Sequence, residues 1–364
     1  MSLGSDNPGF PFSAIVNQET LKNALLLCLV HPGLKGVVIR GERGTGKSTV
    51  ARALTKLMPV QQAIKGCPYG CDPDDPASAC ESCIGLLKSG QDIEIVQRPM
   101  PFVNLPVGCT EDRITGDIDL TSAIKEGKRR YRPGLLAEAN RGILYIDEVN
   151  LLPDHIVDLL LDVAAFGTNI VEREGVRNAH PSRLILIGTM NPEEGDLRPQ
   201  LTDRFDLSVE VSAADRHDQR VEVLRRILDF ERDPSKFCSL WTDQEKRLSD
   251  SIVMARKMIS DIKPSNAILE KAARLSEELG VDGHRAEIAA VKAACGLAAL
   301  AGRTKVEDEH LFAAAELAYP HRLRKSPFDD SPQALGQVRQ TIERMKQRPA
   351  SDLESPVSFS EKKK

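Results

Sequence analysis

Apolar positions in the first part of the chain alternate between short unbroken runs and stretches of helical period, whereas the later part keeps only the helical period. The runs at 36–40 and 142–146 have the length and continuity of buried strands, and 183–188 and 207–211 read as strands as well. Residues 92–97 read as a further strand. Between these runs, 19–30 places Leu21, Ala24, Leu25, Cys28 and Leu29 at helical spacing and stops at His31-Pro32-Gly33. Residues 48–58 repeat that spacing with Val50, Ala51, Leu54 and Leu57. Residues 154–165 do so with Ile156, Val157, Leu160, Leu161 and Ala164, with Asp154 as cap and Gly167 as stop. Residues 168–181 read as a hairpin before the next strand. Strand and helix in alternation predict an α/β domain on a parallel sheet over 1–212. From about Asp215, helical patterns at 219–230, 243–257, 266–279, 284–301 and 306–318 predict an all-helical second domain over 213–330. The tail, 331–364, holds one more helical pattern at 334–346, and its last dozen or so residues are polar enough to stay disordered.

The sharpest motif lies directly after the first apolar run. Gly41-Glu42-Arg43-Gly44-Thr45-Gly46-Lys47-Ser48 matches G-x-x-x-x-G-K-[ST] in full and leads into the helix at 48–58. Glycines there let consecutive N–H groups turn toward a phosphate, Lys47 reaches the outer phosphates, and the Ser48 hydroxyl suits Mg²⁺. Asp147 and Glu148 follow the run at 142–146. An aspartate at that edge helps hold Mg²⁺ and a glutamate orients or deprotonates the attacking water, the alternative being a pair of solvated acids. Asn191 follows the run at 183–188 on the same expected edge, either to position water near the γ-phosphate or to cap a loop. Arg198 and Arg204 have no acid four residues on, which leaves them available to serve a neighbouring subunit's nucleotide. Arg285, in the first turn of a helix that ordinarily favours acids, points to an anion facing it.

Composition adds exclusions. The chain has 364 residues, 41% hydrophobic and 28% charged, which suits a globular protein with a sizeable core. A formal charge of −4 and 4% aromatics leave little for a nucleic-acid surface, and the cations Lys125, Lys128, Arg129, Arg130 and Arg132 read as a solvated face. No segment approaches the ~18 apolar residues of a membrane span, and 1–12 lacks the features of a secretory signal. A cytoplasmic location is expected, or the plastid stroma if the source is a plant or alga. Eight cysteines are then reduced thiols or metal ligands rather than a disulfide framework. Four of them crowd a Pro- and Asp-rich loop as Cys67-x₃-Cys71-x₈-Cys80-x₂-Cys83. The last pair has zinc-ligand spacing and the other gaps fit no standard finger, so a zinc site, a redox pair and inert thiols all stay open.

In order along the chain, the P-loop at 41–48, Asp147-Glu148, Asn191, Arg204 and Arg285 resemble the AAA+ ATPases. The stretches Thr110-Glu-Asp-Arg-Ile-Thr-Gly-Asp, 132–152, Val171-Glu-Arg-Glu-Gly-Val and 188–205 resemble more narrowly the ATPase subunit I family of magnesium chelatases. That resemblance spans about 10–330. It implies an AAA+ nucleotide-binding domain with a helix-2-type insert at 98–133 and a pre-sensor 1 hairpin at 168–181, followed by a lid. It makes Gly41, Gly44, Thr45, Gly46, Lys47, Ser48 and Thr49 the ATP-binding stretch and Ser48 and Asp147 the Mg²⁺ ligands. Glu148 becomes the catalytic glutamate, Asn191 sensor 1, Arg204 the arginine finger and Arg285 sensor 2. It further implies ATP-dependent rings, typically hexameric. The partners would be an AAA+-related subunit with an integrin-like domain and a large porphyrin-binding subunit, driving Mg²⁺ into protoporphyrin IX for (bacterio)chlorophyll synthesis. The same signature suits the motor of a cobalt chelatase in the cobalamin pathway, and a chaperone-like remodeller of the MoxR type remains a further reading.

Overall fold

The computed structural model describes residues 9–42, 44–89, 92–118, 131–173, 176–212, 216–323 and 331–347. In chain order the strands are β1 (Gly36–Gly41), β2 (Gln61–Ile64), β3 (Ile95–Arg98), β4 (Phe102–Leu105), β5 (Gly116–Ile118) and β6 (Tyr131–Pro133). They continue with β7 (Ile143–Ile146), β8 (Thr168–Arg173), β9 (Val176–Pro181), β10 (Ile185–Met190) and β11 (Leu207–Val211). The central sheet has five strands in the order β11-β1-β10-β7-β4, and every pairing in it is parallel. Both faces of its inner strands are buried, which is why those strands read as continuous apolar runs. Val37, Ile39, Tyr145 and Ile187 point into a core shared with the helix Glu19–Val30, while Val38, Leu144, Ile146 and Leu186 point into a second core under the helix Asp154–Phe166.

The remaining strands form two-stranded antiparallel ribbons: β2 with β3, β5 with β6, and β8 with β9. Two expectations change here. Residues 102–105, which the resemblance places within the insert of 98–133, are β4 of the central sheet, with Phe102 beside Ile143 and Leu105 beside Ile146. As an edge strand with one side partly exposed, β4 tolerates Asn104, and that polar residue breaks the apolar run that marks inner strands. The strand expected at 92–97 forms at Ile95–Arg98 and pairs with β2 outside the sheet. Between them the chain adds a helix, Glu81–Ser89, that no periodicity announced, since Cys83 is its one buried residue. Asp154 is not the N-cap of its helix; Pro153 holds that position and Asp154 pairs with Arg198 at 2.6 Å. The disorder expected for the last dozen residues and most of the cationic run at 125–132 fall outside the described residues.

The helical region contains His217–Arg232, Pro234–Met258, Asn266–Leu279, Arg285–Leu300 and Asp308–Ala318, with Ser331–Gln347 beyond. Its central helix, Arg285–Leu300, buries Ala286, Ala289, Ala290, Ala293 and Ala294, and such small side chains let backbones approach closely. The approach reaches the α/β domain: a Cβ on Gly296 would stand 2.6 Å from Leu27. Ile252, Ala255 and Leu311 belong to the same buried cluster as Leu25, Val37 and Ile39, so lid and sheet share one core.

Glycine has opposite values at two positions. A Cβ on Gly142 would collide with the carbonyl of Pro101, whereas one on exposed, helical Gly85 meets nothing within 4 Å. Thermal melting should show Gly142→Ala losing about 1–3 kcal/mol and Gly85→Ala gaining about 0.5–1 kcal/mol.

Candidate nucleotide site

β1 ends in the glycine-rich loop, and two of its glycines hold conformations other residues avoid: Gly44 has φ 79° and Gly46 φ 78°. Gly41 is required for a different reason, because any Cβ there would strike the Val211 carbonyl of β11. Lys47 opens the helix Lys47–Ala53 and turns its ammonium back onto the loop, donating to the carbonyls of Gly41 (2.6 Å) and Glu42 (2.8 Å). Thr45 Oγ1 donates to the Glu42 carbonyl at 2.9 Å. Burial pulls the Lys47 pKa down, and the surrounding carboxylates of Asp147, Glu148, Glu194 and Glu42 oppose that shift. These acids would repel a phosphate chain unless a divalent cation accompanied Lys47, so the residues present fit MgATP.

β7 delivers Asp147 to the same edge, and Thr189 of β10 orients it. Thr189 Oγ1 donates to Asp147 Oδ1 at 2.6 Å and accepts from the Glu148 N–H at 3.2 Å. The Tyr145 hydroxyl lies 3.2 Å from Asp147 Oδ1 and within reach of Ser48, and burial pushes its pKa up to about 12. Glu148 takes φ 55°, left-handed backbone that costs a non-glycine residue energy and marks functional turns. Asn191 is buried, and its Oδ1 accepts from the Glu193 N–H at 3.3 Å, which is the loop-cap geometry. Its side-chain NH₂ is the group suited to meet a nucleotide. Periodicity missed Thr189, Tyr145 and Gln18. The last has φ 62°, follows Asn17 at φ 58°, and donates to the Thr45 carbonyl at 2.9 Å from the loop's far side.

The arginines require a correction. Arg198 and Arg204 were expected to lack acidic partners, but Arg198 pairs with Asp154, and Arg204 pairs with both Asp158 and Asp162. The partners come from the helix Asp154–Phe166, where acids four residues apart share one face, so a search along the arginines' own segment could not find them. The anion facing Arg285 is likewise a protein group: its Nη1 donates to Asp203 Oδ2 at 2.6 Å. Arg322, whose side chain is 2% exposed, donates to Asp203 Oδ1 (3.1 Å) and to the carbonyls of Asp203, Phe205, Asp206 and Ala318. Asp206 Oδ2 in turn accepts from the N–H groups of Lys35 and Gly36 at the start of β1. Arg204 thus sits in a segment fixed by the lid on one side and by β1 on the other.

A P-loop on a five-stranded parallel sheet, an acid pair on the same edge and a helical lid together define an AAA ATPase. The family model of the AAA domain (dynein-related subfamily) matches residues 92–205, and that of the AAA lid domain matches 269–343. The chain is 46% identical over 343 residues to the magnesium-chelatase subunit ChlI homolog of Methanocaldococcus jannaschii, covering 94% of this chain and 93% of that one. It is 48% identical over 322 residues to the magnesium-chelatase 38 kDa subunit of Acidiphilium rubrum, covering 88% and 93%. The corresponding subunit of Rhodobacter capsulatus is 46% identical over 336 residues, covering 92% and 94%. Among solved structures, a chain from a complex of the BchI and BchD subunits of magnesium chelatase aligns with a TM-score of 0.52 at 44% identity, over 92% of this chain and 99% of that one. A putative ATPase from Cytophaga hutchinsonii aligns with a TM-score of 0.60 at 15% identity, over 90% and 91%, and shows the fold alone. The chain belongs to the magnesium-chelatase ChlI/BchI subunit family, and its AAA domain is one that binds ATP. No helix among the described residues is long and apolar enough to cross a membrane.

Thr189 is the hinge of this geometry. Thr189→Val keeps the shape but removes both hydrogen bonds, so steady-state ATPase assays should show kcat falling about ten- to a hundredfold, the equivalent of a charge-assisted bond, with little change in melting temperature.

Proposed function

We propose that the chain is the ATP-hydrolysing motor of a magnesium chelatase and powers insertion of Mg²⁺ into protoporphyrin IX. The observation that carries the reading is the gathering of Lys47, Asp147, Thr189 and Asn191 at one sheet edge, while Arg204 is held by acids on another element of its own chain. The site is half of one. Residues 41–49 wrap the phosphates once Lys47 exchanges the carbonyls of Gly41 and Glu42 for phosphate oxygens. Ser48 and Asp147 would hold the Mg²⁺ of MgATP, an ion that would supply neutralising charge for phosphoryl transfer. Glu148 orients the attacking water or takes its proton, and the Asn191 amide fixes that water's position.

Arg204 completes the site of a neighbouring subunit by exchanging Asp158 and Asp162 for that neighbour's phosphates. Arg285, tied to Asp203 beside it, moves with the same segment and acts as sensor 2. Such exchange requires a ring, for which we take a hexamer, and it makes nucleotide state a signal about the contact between subunits. The insert within 98–133 and the hairpin at 168–181 then carry that signal to the partners: an AAA+-related subunit with an integrin-like domain and a large porphyrin-binding subunit. The similarity to a BchI chain in complex with BchD supports a partner of the first kind.

Reconstitution of the chain with those partners, ATP, Mg²⁺ and protoporphyrin IX should yield the metallated porphyrin, read by absorbance. Glu148→Gln should still bind ATP yet lose at least about a hundredfold in turnover, and product formed without ATP would refute the motor role. Arg204→Ala and Lys47→Ala should each be inactive alone, the first by about 10³-fold or more, and mixing them should restore part of the ATPase through interfaces that pair an intact P-loop with an intact Arg204. Mixtures that stay inactive at every ratio would place Arg204 outside its neighbour's site.

A further inference from the structure

The four cysteines of the loop at 67–83 converge on a single point. Their Sγ atoms all lie within 4.8 Å of one another, and Cys67 and Cys80 are 3.9 Å apart. A tetrahedral site with metal–sulfur bonds of about 2.3 Å has edges of about 3.8 Å, so this spacing is that of four thiolates around one ion. It is far from the ~2.05 Å of a disulfide. An iron–sulfur cluster, which places irons and sulfides between its cysteines, needs them further apart.

Local backbone is built for the same arrangement. Gly66 (φ 78°) and Gly70 (φ 56°) flank the turn that carries Cys67 and Cys71, and Gly70 N–H closes that turn on the Cys67 carbonyl at 3.2 Å. The Cys80 N–H donates to Cys71 Sγ at 3.2 Å, the contact a thiolate accepts and one that orients metal ligands. Cys80 and Cys83 stand just before and within the first turn of the helix Glu81–Ser89. Cys83 is the only fully buried residue of that helix, and besides it only Leu87 packs on the small cluster of Ile64, Tyr69 and Ala137, so the helix has little apolar support of its own. A surface module this poor in core needs a staple.

Charge agrees. Four thiolates on a divalent ion leave a net charge of about −2, and Arg98 packs its guanidinium against Gly70 in the cysteine turn, where its Nε is buried with no hydrogen-bond partner. We propose that Cys67, Cys71, Cys80 and Cys83 bind one Zn²⁺ as a structural site. Four S–H bonds break and four Zn–S bonds form, with the protons released to solvent and no change of oxidation state. The ion secures more than its own loop. Asn140 Nδ2 donates to the Tyr69 carbonyl (2.8 Å) and Arg141 Nη1 to that of Gly70 (3.1 Å), while the Tyr69 ring stacks on His180 at 4.5 Å. The site therefore braces the start of β7, the strand that presents Asp147, and the foot of the β8–β9 hairpin.

The test is elemental analysis of the full chain, purified under reducing conditions without chelator. It should contain about one zinc per chain, which Cys109→Ser retains and Cys67→Ser or Cys83→Ser loses. Exchange of that zinc for Co²⁺ in the unmodified chain should give the intense visible bands of tetrahedral thiolate coordination, a readout independent of how the variants fold. Full-length protein with all four thiols reduced and no stoichiometric metal would overturn the proposal. So would iron in place of zinc, or a disulfide among the four cysteines found by mass spectrometry.

Discussion

Because β1, β10 and β7 run parallel and in contact, with Val38 beside Gly188 and Gly188 beside Ile146, all of them release their following residues on one edge of the sheet. The P-loop leaves β1 there, Asp147 and Glu148 leave β7, and Thr189 and Asn191 close β10. A one-residue slip would turn each of these side chains to the opposite face. The register is in turn held by close approach. Gly188 admits Val149, whose Cγ1 would lie 3.0 Å from a Cβ, and Gly41 admits the carbonyl of Val211. The chemistry depends on backbone proximity before it depends on any charge.

Charge enters through the short segment from Asp203 to Asp206. From the lid, Arg322 donates to its carbonyls and Arg285 donates to the Asp203 carboxylate, while Asp206 accepts from the N–H groups at the start of β1. The partners of Arg204, Asp158 and Asp162, lie on the helix that covers one face of the sheet. Ion pairs and hydrogen bonds thus join the lid to the start of β1 within one chain, beside a hydrophobic core that lid and sheet share.

Strands buried on both faces were legible because burial leaves no room for polar residues; β7 at Ile143–Ile146 lies wholly within its apolar run. Helices with a deep apolar face, such as Glu19–Val30 and Asn266–Leu279, were legible for the same reason. Elements at the margin were not. β4 carries Asn104 because an edge strand shows one side to water, and the helix Glu81–Ser89 has no apolar stripe because its burial runs through a single cysteine. The P-loop and the acid pair could be found by motif, since their chemistry needs those residue types at fixed spacing. Thr189, Gln18 and Arg322 have no fixed spacing from what they hold.

The sequence alone marked which groups suit a phosphate, because a glycine loop, a lysine and a strand-terminal acid pair are the residue types that chemistry needs. Only tertiary structure decided which protein groups those side chains contact. Lys47 rests on its own loop, Arg204 on Asp158 and Asp162, and Arg285 on Asp203. It also decided that four cysteines with irregular spacing share one point. Ion pairs and metal ligands depend on distance in space, and a chain folded back on itself brings together residues whose separation along the sequence carries no trace of it.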